Sequence, residues 1–330
     1  MPVFIDILWL VVGLVALYFG AEWLVGAAAK LAVRFGISPL VVGLTVVAFG
    51  TSSPELFVSL QFNFEGLPDM AVGNVVGSNI CNIGLILGIS ALMYGLSVKA
   101  ELIRRDMPIL LITTIVFVWM IWDGQLARWE GIVLAVSVIL YTVYCLWESK
   151  REKNPEVLKE FEDEFGAEQA GNSPLWLLIV MILGGLIALY FGAEWLKKGG
   201  VSLAVRLGVP SAVISLTLVA FATSVPELAT SVVAAMKREG DIIIGNVIGS
   251  CIFNILCVMG FTAVITPMAV AEISMVDLAV MGAFTLALLP MMLTRRMIGR
   301  LEGALLLLGY FGYMAFLYVD RIAPATAAII

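Results

Sequence analysis

The strongest constraint on the fold is an internal repeat, because long matching segments recur along the chain at a constant spacing of 172 residues. A constant spacing means that the two halves are copies of one unit, without a net insertion between matched points. Any fold of this chain must therefore contain two similar units. The matching pairs are ALYFGAEWL at 16–24 and at 188–196, LAVRFG at 31–36 with LAVRLG at 203–208, and GNVVGSNICN at 73–82 with GNVIGSCIFN at 245–254.

Both units are apolar enough to lie in a membrane, since 61% of the 330 residues are hydrophobic, 13% are charged and the mean hydropathy is +1.04. A transmembrane helix needs about 20 mostly apolar residues. The alternating pattern of barrel strands is absent from the sequence. The sequence therefore predicts an all-α polytopic membrane protein with ten transmembrane helices. The predicted spans are Val3–Ala29, Pro39–Phe62, Met70–Leu96, Met107–Trp122, Glu130–Trp147, Leu175–Leu196, Pro210–Met236, Ile242–Ile265, Met275–Leu293 and Glu302–Val319.

Each unit has five spans, and an odd unit repeated in tandem must be inverted relative to its copy. Two inverted five-helix repeats are the plan of many secondary transporters, which bind substrate near the bilayer midplane between the repeats. We expect the first repeat at 1–147 and the second at 175–330. Residues 148–174 form a charged linker, which has eight acidic and four basic side chains between Glu148 and Glu168.

The distribution of Lys and Arg predicts the orientation in the membrane, because positive residues favour the cytoplasmic side. Of the 19 basic residues, 14 lie on the side of the linker in the ten-span arrangement. We therefore expect a cell-membrane protein with a cytoplasmic linker and both termini outside. The 14 are Lys30, Arg34, Lys99, Arg104, Arg105, Lys150, Arg151, Lys153, Lys159, Lys237, Arg238, Arg295, Arg296 and Arg300.

One carboxylate lies inside the second span and another inside the seventh. The segment LTVVAFGTSSPELFVS at 44–59 contains Glu55, and its copy LTLVAFATSVPELATS at 216–231 contains Glu227. A charge at membrane depth costs about 2.5–3.5 kcal/mol on insertion scales, so a matched pair indicates function. The proline before each glutamate lacks an N–H, which frees the carbonyl four residues before it, that of Gly50 or Ala222. Free carbonyls in a membrane are tolerated only beside a cavity or a ligand.

Polar side chains cluster around both helix breaks. In each broken span, hydroxyls three and four residues before the glutamate share its helix face, and the third and eighth spans add polar stripes at a spacing of four. All these groups are oxygen ligands, which suit hard cations such as Ca²⁺. Two carboxylates balance one Ca²⁺ or two Na⁺, so these ions could compete for one site. The hydroxyls are Thr51, Ser52, Thr223 and Ser224, and the stripes are Asn74, Ser78 and Asn82, and Asn246, Ser250 and Asn254.

The paired motifs, GTSSPEL and ATSVPEL, each followed by GNVxGSxIxN, resemble the signature blocks of the sodium/calcium exchangers of the cation/calcium antiporter superfamily. The resemblance covers essentially the whole chain, with alpha motifs at 44–88 and 216–260. It implies exchange of roughly three Na⁺ for one Ca²⁺, with the first and sixth helices sliding past the rest. It also implies Ca²⁺ ligands at Glu55, Glu227, Thr51, Thr223 and the carbonyls of Gly50 and Ala222, and Na⁺ ligands at Ser52, Ser78, Asn82, Ser224, Ser250 and Asn254.

The sequence departs from the family pattern at two positions. Asn254 stands where some members have Asp, so a third acidic ligand and potassium dependence are not implied. Ala222 replaces the glycine that symmetry with Gly50 would place there, which predicts a stiffer second break.

Three other functions stay open at this stage: a proton/calcium exchanger, a sodium-coupled carrier of an organic solute, and a passive channel. The chain has no histidine, and its four cysteines lack the spacing of a zinc or disulfide site. No catalytic constellation is present, so we do not expect an enzyme. We expect no cofactor; the partners should be Ca²⁺, Na⁺ and the lipid bilayer, without nucleic acid or an obligatory protein partner.

Overall fold

The computed structural model describes residues 3–35, 39–151, 174–206, 220–270, 273–294 and 296–319. Nine helical stretches in these ranges are long and apolar enough to cross a membrane. The predicted linker is described only up to Arg151, within the helix Arg128–Arg151, and from Pro174; the rest of it lies outside the described residues. So do residues 210–219 of the predicted seventh span, whose described part includes the apolar helix Val225–Met236.

Several spans in the first half are built from shorter helices joined by π-helical turns. These turns occur at Gly43–Val47, Asn82–Leu87 and Leu102–Asp106, and a 3₁₀ turn at Ile121–Asp123 ends the fourth span. The α-helices are α1 Val3–Phe35, α2 Pro39–Val42, α3 Ala48–Thr51, α4 Ser53–Phe64, α5 Pro68–Cys81, α6 Gly88–Met93, α7 Met107–Met120 and α8 Arg128–Arg151.

The second half repeats this order, and its eighth span again contains a π-helical turn, at Asn254–Met259. The α-helices are α9 Leu175–Arg206, α10 Ala220–Thr223, α11 Val225–Met236, α12 Gly240–Phe253, α13 Gly260–Ile265, α14 Met275–Leu293 and α15 Arg300–Leu317. Short strands that the sequence analysis does not predict lie between spans in both halves, at β1 Leu96–Ser97, β2 Gln125–Leu126, β3 Met268–Ala269 and β4 Met297–Ile298.

Side-chain caps explain where the last span of each half begins. Glu130 accepts a hydrogen bond from the backbone N–H of Ala127 at 2.8 Å, and Glu302 accepts one from that of Gly299 at 3.1 Å. A carboxylate three residues into a helix satisfies a donor that the first turn leaves unpaired. The boundaries that the sequence predicts at these glutamates are therefore confirmed to within two residues.

The two halves interlock, and glycines mark the close approaches. A Cβ atom on Gly303 of α15 would lie 2.8 Å from the carbonyl oxygen of Gly88 in α6, and one on Gly131 of α8 would lie 2.9 Å from that of Gly260 in α13. Gly88 and Gly260 are equivalent in the repeat, as are Gly131 and Gly303. Exchanging the halves therefore reproduces the same contact, which is the signature of a two-fold axis.

The first and sixth spans also approach each other closely at glycines that are equivalent in the repeat. A Cβ atom on Gly13 of α1 would lie 2.9 Å from the carbonyl oxygen of Gly192 in α9, and one on Gly20 would lie 2.9 Å from that of Gly185. Small residues let membrane helices approach closely. The long helices α1 and α9 consequently pack on each other as one pair.

The strands also pair between halves. Strand β1 pairs antiparallel with β4, and β2 pairs antiparallel with β3. Because β1 is equivalent to β3 and β2 to β4, the two ladders are again related by exchange of the halves. The prediction of an all-α polytopic fold with two inverted five-helix repeats is confirmed, with these two-residue ladders as its only addition in the described part of the chain.

The third and eighth spans form the centre of this arrangement. The apolar window of Gly240–Ile265 is completely buried and that of Pro68–Met93 is 83% buried, against 17% for Arg300–Leu317. Outer helices expose large apolar side chains such as Leu301 and Leu308 of α15, as lipid-facing helices do. Polar groups on the two central spans are therefore shielded from lipid.

Candidate ion-binding site

Both broken spans have the same backbone geometry at the break. Ser52 separates α3 from α4 with φ −85° and ψ 3°, and Ser224 separates α10 from α11 with φ −89° and ψ 3°. A proline follows two residues later in each case, where its missing N–H costs nothing because first-turn donors have no partner within a helix. Glu55 and Glu227 thus lie in the first turn of a new helix, where the helix dipole favours negative charge.

The carbonyl that Pro54 frees is not bare. Backbone N–H groups at the end of α3 bond to the carbonyl oxygens of Ala48 and Gly50. A carbonyl oxygen has two lone pairs, so the one on Gly50 keeps a second acceptor site. The sequence predicts that the Gly50 carbonyl oxygen can bind a cation. One of its lone pairs accepts the hydrogen bond of the turn, and the other is compatible with that prediction.

The two glutamates are fully buried. Ser52 donates a hydrogen bond to Oε1 of Glu227 at 3.1 Å. Within the described ranges, Oε2 of Glu227 and both carboxylate oxygens of Glu55 have no hydrogen-bond partner. A buried charge without partners is strongly unfavourable, so the pair requires a bound cation or protons.

Hydrogen bonds between threonine and asparagine connect the broken spans to the central spans of the opposite half. Thr51 donates to Oδ1 of Asn246 at 3.2 Å, and Thr223 donates to Oδ1 of Asn74 at 3.2 Å. Because Thr51 gives its proton to an oxygen, its own lone pairs can still face a cation. The structure places both asparagines as hydrogen-bonding groups between helices.

Two further serines complete these bridges. The amide of Asn74 donates to Ser59 at 3.1 Å, and that of Asn246 donates to Ser231 at 3.3 Å. Ser59 and Ser231 are not among the residues that the sequence predicts for the site. Their equivalence in the repeat is the signal that could have identified them.

The Ser/Asn stripes are buried beside the breaks, but their members have different environments. Ser224 donates to Ser78 at 3.2 Å. In the described part of the chain, the hydroxyl of Ser250, both amide atoms of Asn82 and Oδ1 of Asn254 have no hydrogen-bond partner. Asn82 and Asn254 are the first residues of the two equivalent π-helical turns, a feature that often marks functional sites. These unpartnered atoms are the kind that a transported cation could satisfy.

The polar groups beside the breaks are mainly oxygen donors of several kinds. No group of three or more His, Cys, Asp or Glu side chains lies together among the described residues. Any ion bound here would therefore combine two carboxylates with hydroxyl, amide and carbonyl oxygens, as hard cations prefer. Ser52 donates a hydrogen bond to Glu227, and Ser224 donates one to Ser78. Among the described residues, neither Ser250 nor Asn82 forms a direct hydrogen bond with Glu55 or Glu227.

A cavity of about 280 Å³ lies between the breaks and α9. Gly50, Pro54 and Pro226 line it on one side, and apolar residues of α9, including Leu186 and Tyr190, line the other. A Cβ atom on Gly50 would run into the Leu186 side chain. The glycine at the first break therefore accommodates the Leu186 side chain of α9.

Comparisons with known proteins agree with this architecture. The family described as "Sodium/calcium exchanger protein" matches residues 5–147 and 177–319. The chain is 32% identical over 345 residues to the sodium/calcium exchanger MaX1 of Methanosarcina acetivorans, covering 95% of this chain and 99% of that protein. It is 36% identical over 318 residues to the inner membrane protein YrbG of Escherichia coli, covering 94% and 95% respectively.

A solved structure of the sodium-calcium exchanger NCX_Mj, soaked with Na⁺ and Sr²⁺, has the same fold. It superimposes with a TM-score of 0.83 at 31% sequence identity and covers 95% of this chain and 99% of its own. The family match includes both repeats, and this similarity includes almost the whole chain. The protein therefore belongs to the sodium/calcium exchanger family.

Proposed function

We propose that the protein is a secondary antiporter that exchanges about three Na⁺ for one Ca²⁺ by alternating access and so removes Ca²⁺ from the cytoplasm. The observation that carries the proposal is the pair of fully buried glutamates, three of whose four carboxylate oxygens have no partner in the described residues. Two negative charges at membrane depth need two positive charges. One Ca²⁺ or two Na⁺ supply them, so the ions exclude each other from the carboxylates.

The remaining donors supply oxygens for further Na⁺. We assign Ca²⁺ to Glu55, Glu227, Thr51, Thr223 and the carbonyls of Gly50 and Ala222. The Na⁺ sites add the stripes and the serines at the breaks, namely Ser52, Ser224, Ser78, Ser250, Asn82 and Asn254. If three Na⁺ exchange for one Ca²⁺, one net charge crosses per cycle, and a potential of 100 mV biases exchange by about 2.3 kcal/mol.

Flux in vesicles tests this function. Purified protein is reconstituted, the vesicles are loaded with Na⁺, and they are diluted into Na⁺-free medium containing ⁴⁵Ca²⁺. We expect uptake that needs internal Na⁺ and that increases when the vesicle interior is made positive. Glu55→Gln and Glu227→Gln should abolish uptake, whereas Glu101→Gln, at an exposed carboxylate, should not change it.

Two outcomes would contradict the proposal. Uptake that is driven by a pH gradient in Na⁺-free medium would instead assign the carboxylates to proton exchange. Unchanged uptake in both glutamine variants would remove the site assignment, because it would show that the buried pair does not bind the cargo.

The orientation is a further part of the proposal. The excess of Lys and Arg on the linker side supports a cell-membrane protein with both termini outside, repeats at 1–147 and 175–330, and a cytoplasmic linker at 148–174. The four native cysteines are buried, so single new cysteines can report on topology. In intact cells, an impermeant maleimide should label Ala327→Cys near the C-terminus and should not label Asn154→Cys in the linker; the reverse pattern would invert the orientation.

A further inference from the structure

Asn79 lies where the two central helices meet. Its side chain forms hydrogen bonds with both the backbone and a side chain of the other half. It is 1% exposed, and its repeat equivalent is Cys251. The amide nitrogen of Asn79 donates to the backbone carbonyl of Cys251 at 3.3 Å, and the thiol of Cys251 approaches the carbonyl of Asn79 at 4.0 Å. Each residue therefore faces the backbone of the other across the two-fold axis.

This contact fixes the orientation of the Asn79 amide. A backbone carbonyl can only accept a hydrogen bond, so the NH₂ group of Asn79 must face Cys251. Its oxygen then faces Asn254, which donates its own NH₂ group at 3.1 Å. Because that NH₂ group is held by Asn79, Oδ1 of Asn254 is turned the other way, and it is buried with no partner among the described residues.

The equivalent contact in the other half is weaker. Cys251 replaces the asparagine, and its thiol lies beside Asn82, but a thiol is only a weak hydrogen-bonding group. Neither amide atom of Asn82 has a hydrogen-bond partner in the described part of the chain. Asn254 is thus held in one orientation, whereas its repeat equivalent Asn82 is not. Repeat symmetry is therefore broken at this pair of positions beside the site.

We propose that Asn79 is a positioning residue that holds the Asn254 amide with its oxygen toward a transported Na⁺. The inference rests on the proposed function, because it takes Asn254 as a Na⁺ ligand. A rotated amide would turn its NH₂ group, which only donates hydrogen bonds, toward the cation. Fixing the amide in advance avoids that orientation. It also removes the entropy cost of ordering the amide when Na⁺ binds, which is how a preorganised group increases affinity.

The test is Asn79→Cys, which gives position 79 the side chain of its repeat equivalent. In the vesicle assay, we expect the internal Na⁺ concentration for half-maximal ⁴⁵Ca²⁺ uptake to increase about three- to tenfold, as loss of one buried hydrogen bond implies. The half-saturating Ca²⁺ concentration and the maximal rate should stay near the wild-type values. A purely structural role would lower the maximal rate or the protein yield without this selective change.

A double-mutant cycle shows whether Asn79 acts through Asn254. In an Asn254→Ala background there is no amide to orient, so adding Asn79→Cys should leave the Na⁺ dependence unchanged; additive effects would overturn the inference. Asn79→Ser, whose hydroxyl is too short to reach both partners, serves in the same cycle if the cysteine variant does not fold. Wild-type protein without Na⁺-driven uptake refutes the proposed function, whereas wild-type-like Na⁺ dependence in Asn79→Cys refutes the positioning role alone.

Discussion

At the scale of single residues, the site is held by hydrogen bonds that cross between the halves. Thr51 reaches Asn246 and Thr223 reaches Asn74, so each broken span is attached to the central span of the opposite repeat. The asparagines in turn bond to Ser231 and Ser59. A change at one threonine therefore affects both halves of the molecule.

Replacing Thr51 with valine tests this connection at nearly constant volume. The buried Oδ1 of Asn246 would lose the proton that Thr51 donates, and an unsatisfied buried group costs about 1–3 kcal/mol. We expect a lower melting midpoint in detergent for Thr51→Val. Thr51→Ser keeps the hydroxyl and should stay near wild type, and equal midpoints for the two variants would mean that this hydrogen bond does not stabilise the fold.

Residue types at the site can be predicted from sequence, but their partners cannot. The repeat and the prolines identify Glu55 and Glu227 as an unusual pair, because charge inside an apolar span is costly. Nothing in the sequence indicates that Ser52 donates a hydrogen bond to Glu227 or that Ser224 donates one to Ser78. Asn79 carries no repeat signal at all, because its equivalent is a cysteine.

At the scale of helices, close glycine contacts hold spans of different repeats together. Gly88 of α6 meets Gly303 of α15, and Gly131 of α8 meets Gly260 of α13. The contacts are between backbones, which cannot move aside as a flexible side chain can. Helix order and length can be read from the sequence because lipid imposes them, whereas these pairings depend on which faces meet.

Two glycines of α15 give a matched test of this packing. Gly303→Ala would place a methyl group 2.8 Å from the Gly88 carbonyl oxygen and 2.9 Å from Cβ of Ala91, which forces the helices apart. Gly312→Ala meets no atom of the described residues within 4 Å, and alanine is favoured over glycine in a helix. We expect the melting midpoint to fall for the first variant and to stay equal or rise for the second, whereas a similar fall in both would point to helix propensity rather than packing.

One ion pair attaches α1 to the end of α11. Lys237 Nζ lies 2.8 Å from Oε1 of Glu22, and the two side chains are about one-third exposed. Such a partly exposed pair contributes only about 0–1 kcal/mol, but it joins the α1–α9 pair to a broken span. At the equivalent positions of the repeat stand Glu194 and Glu65, two like charges, so the two sides of the molecule differ.

Reversing the charge of Lys237 should weaken the contact between α1 and the end of α11. Gly26 lies beside Lys237, its Cβ position being 3.5 Å from Nζ, so a cysteine at Gly26 reports on local access. We expect maleimide to label Gly26→Cys faster in a Lys237→Glu background and at the original rate when Glu22→Lys is added. Lys237→Arg is the control with unchanged charge, and failure of the double reversal to restore the rate would exclude the ion pair as the cause.

At the scale of the whole molecule, the repeats are similar units that do not form separate bodies. The glycine contacts of α6, α8, α13 and α15 and both strand ladders run between halves. The repeat spacing predicts two units, and the odd number of spans predicts their inversion. Interlocking is not predicted, because hydropathy describes each helix against lipid and carries no information on its neighbours.

Interlocking makes a prediction for the separated halves. Fragments 1–151 and 174–330, expressed alone, would each leave backbone faces of glycine helices and strand edges without partners, and unpaired backbone groups are costly in a membrane. We expect neither fragment to accumulate as a folded species, whereas co-expression should give a complex with wild-type melting and ⁴⁵Ca²⁺ uptake.

Intact protein carrying a protease site in the linker is the control for that experiment. Cleavage after folding removes the covalent connection without disturbing assembly, so uptake should persist, because the interlocking contacts rather than the linker hold the halves together. A single fragment that is monodisperse and melts cooperatively would contradict this account, since it would show that one five-helix repeat can bury its own glycine faces. Loss of uptake on cleavage would instead assign the charged linker a role in transport.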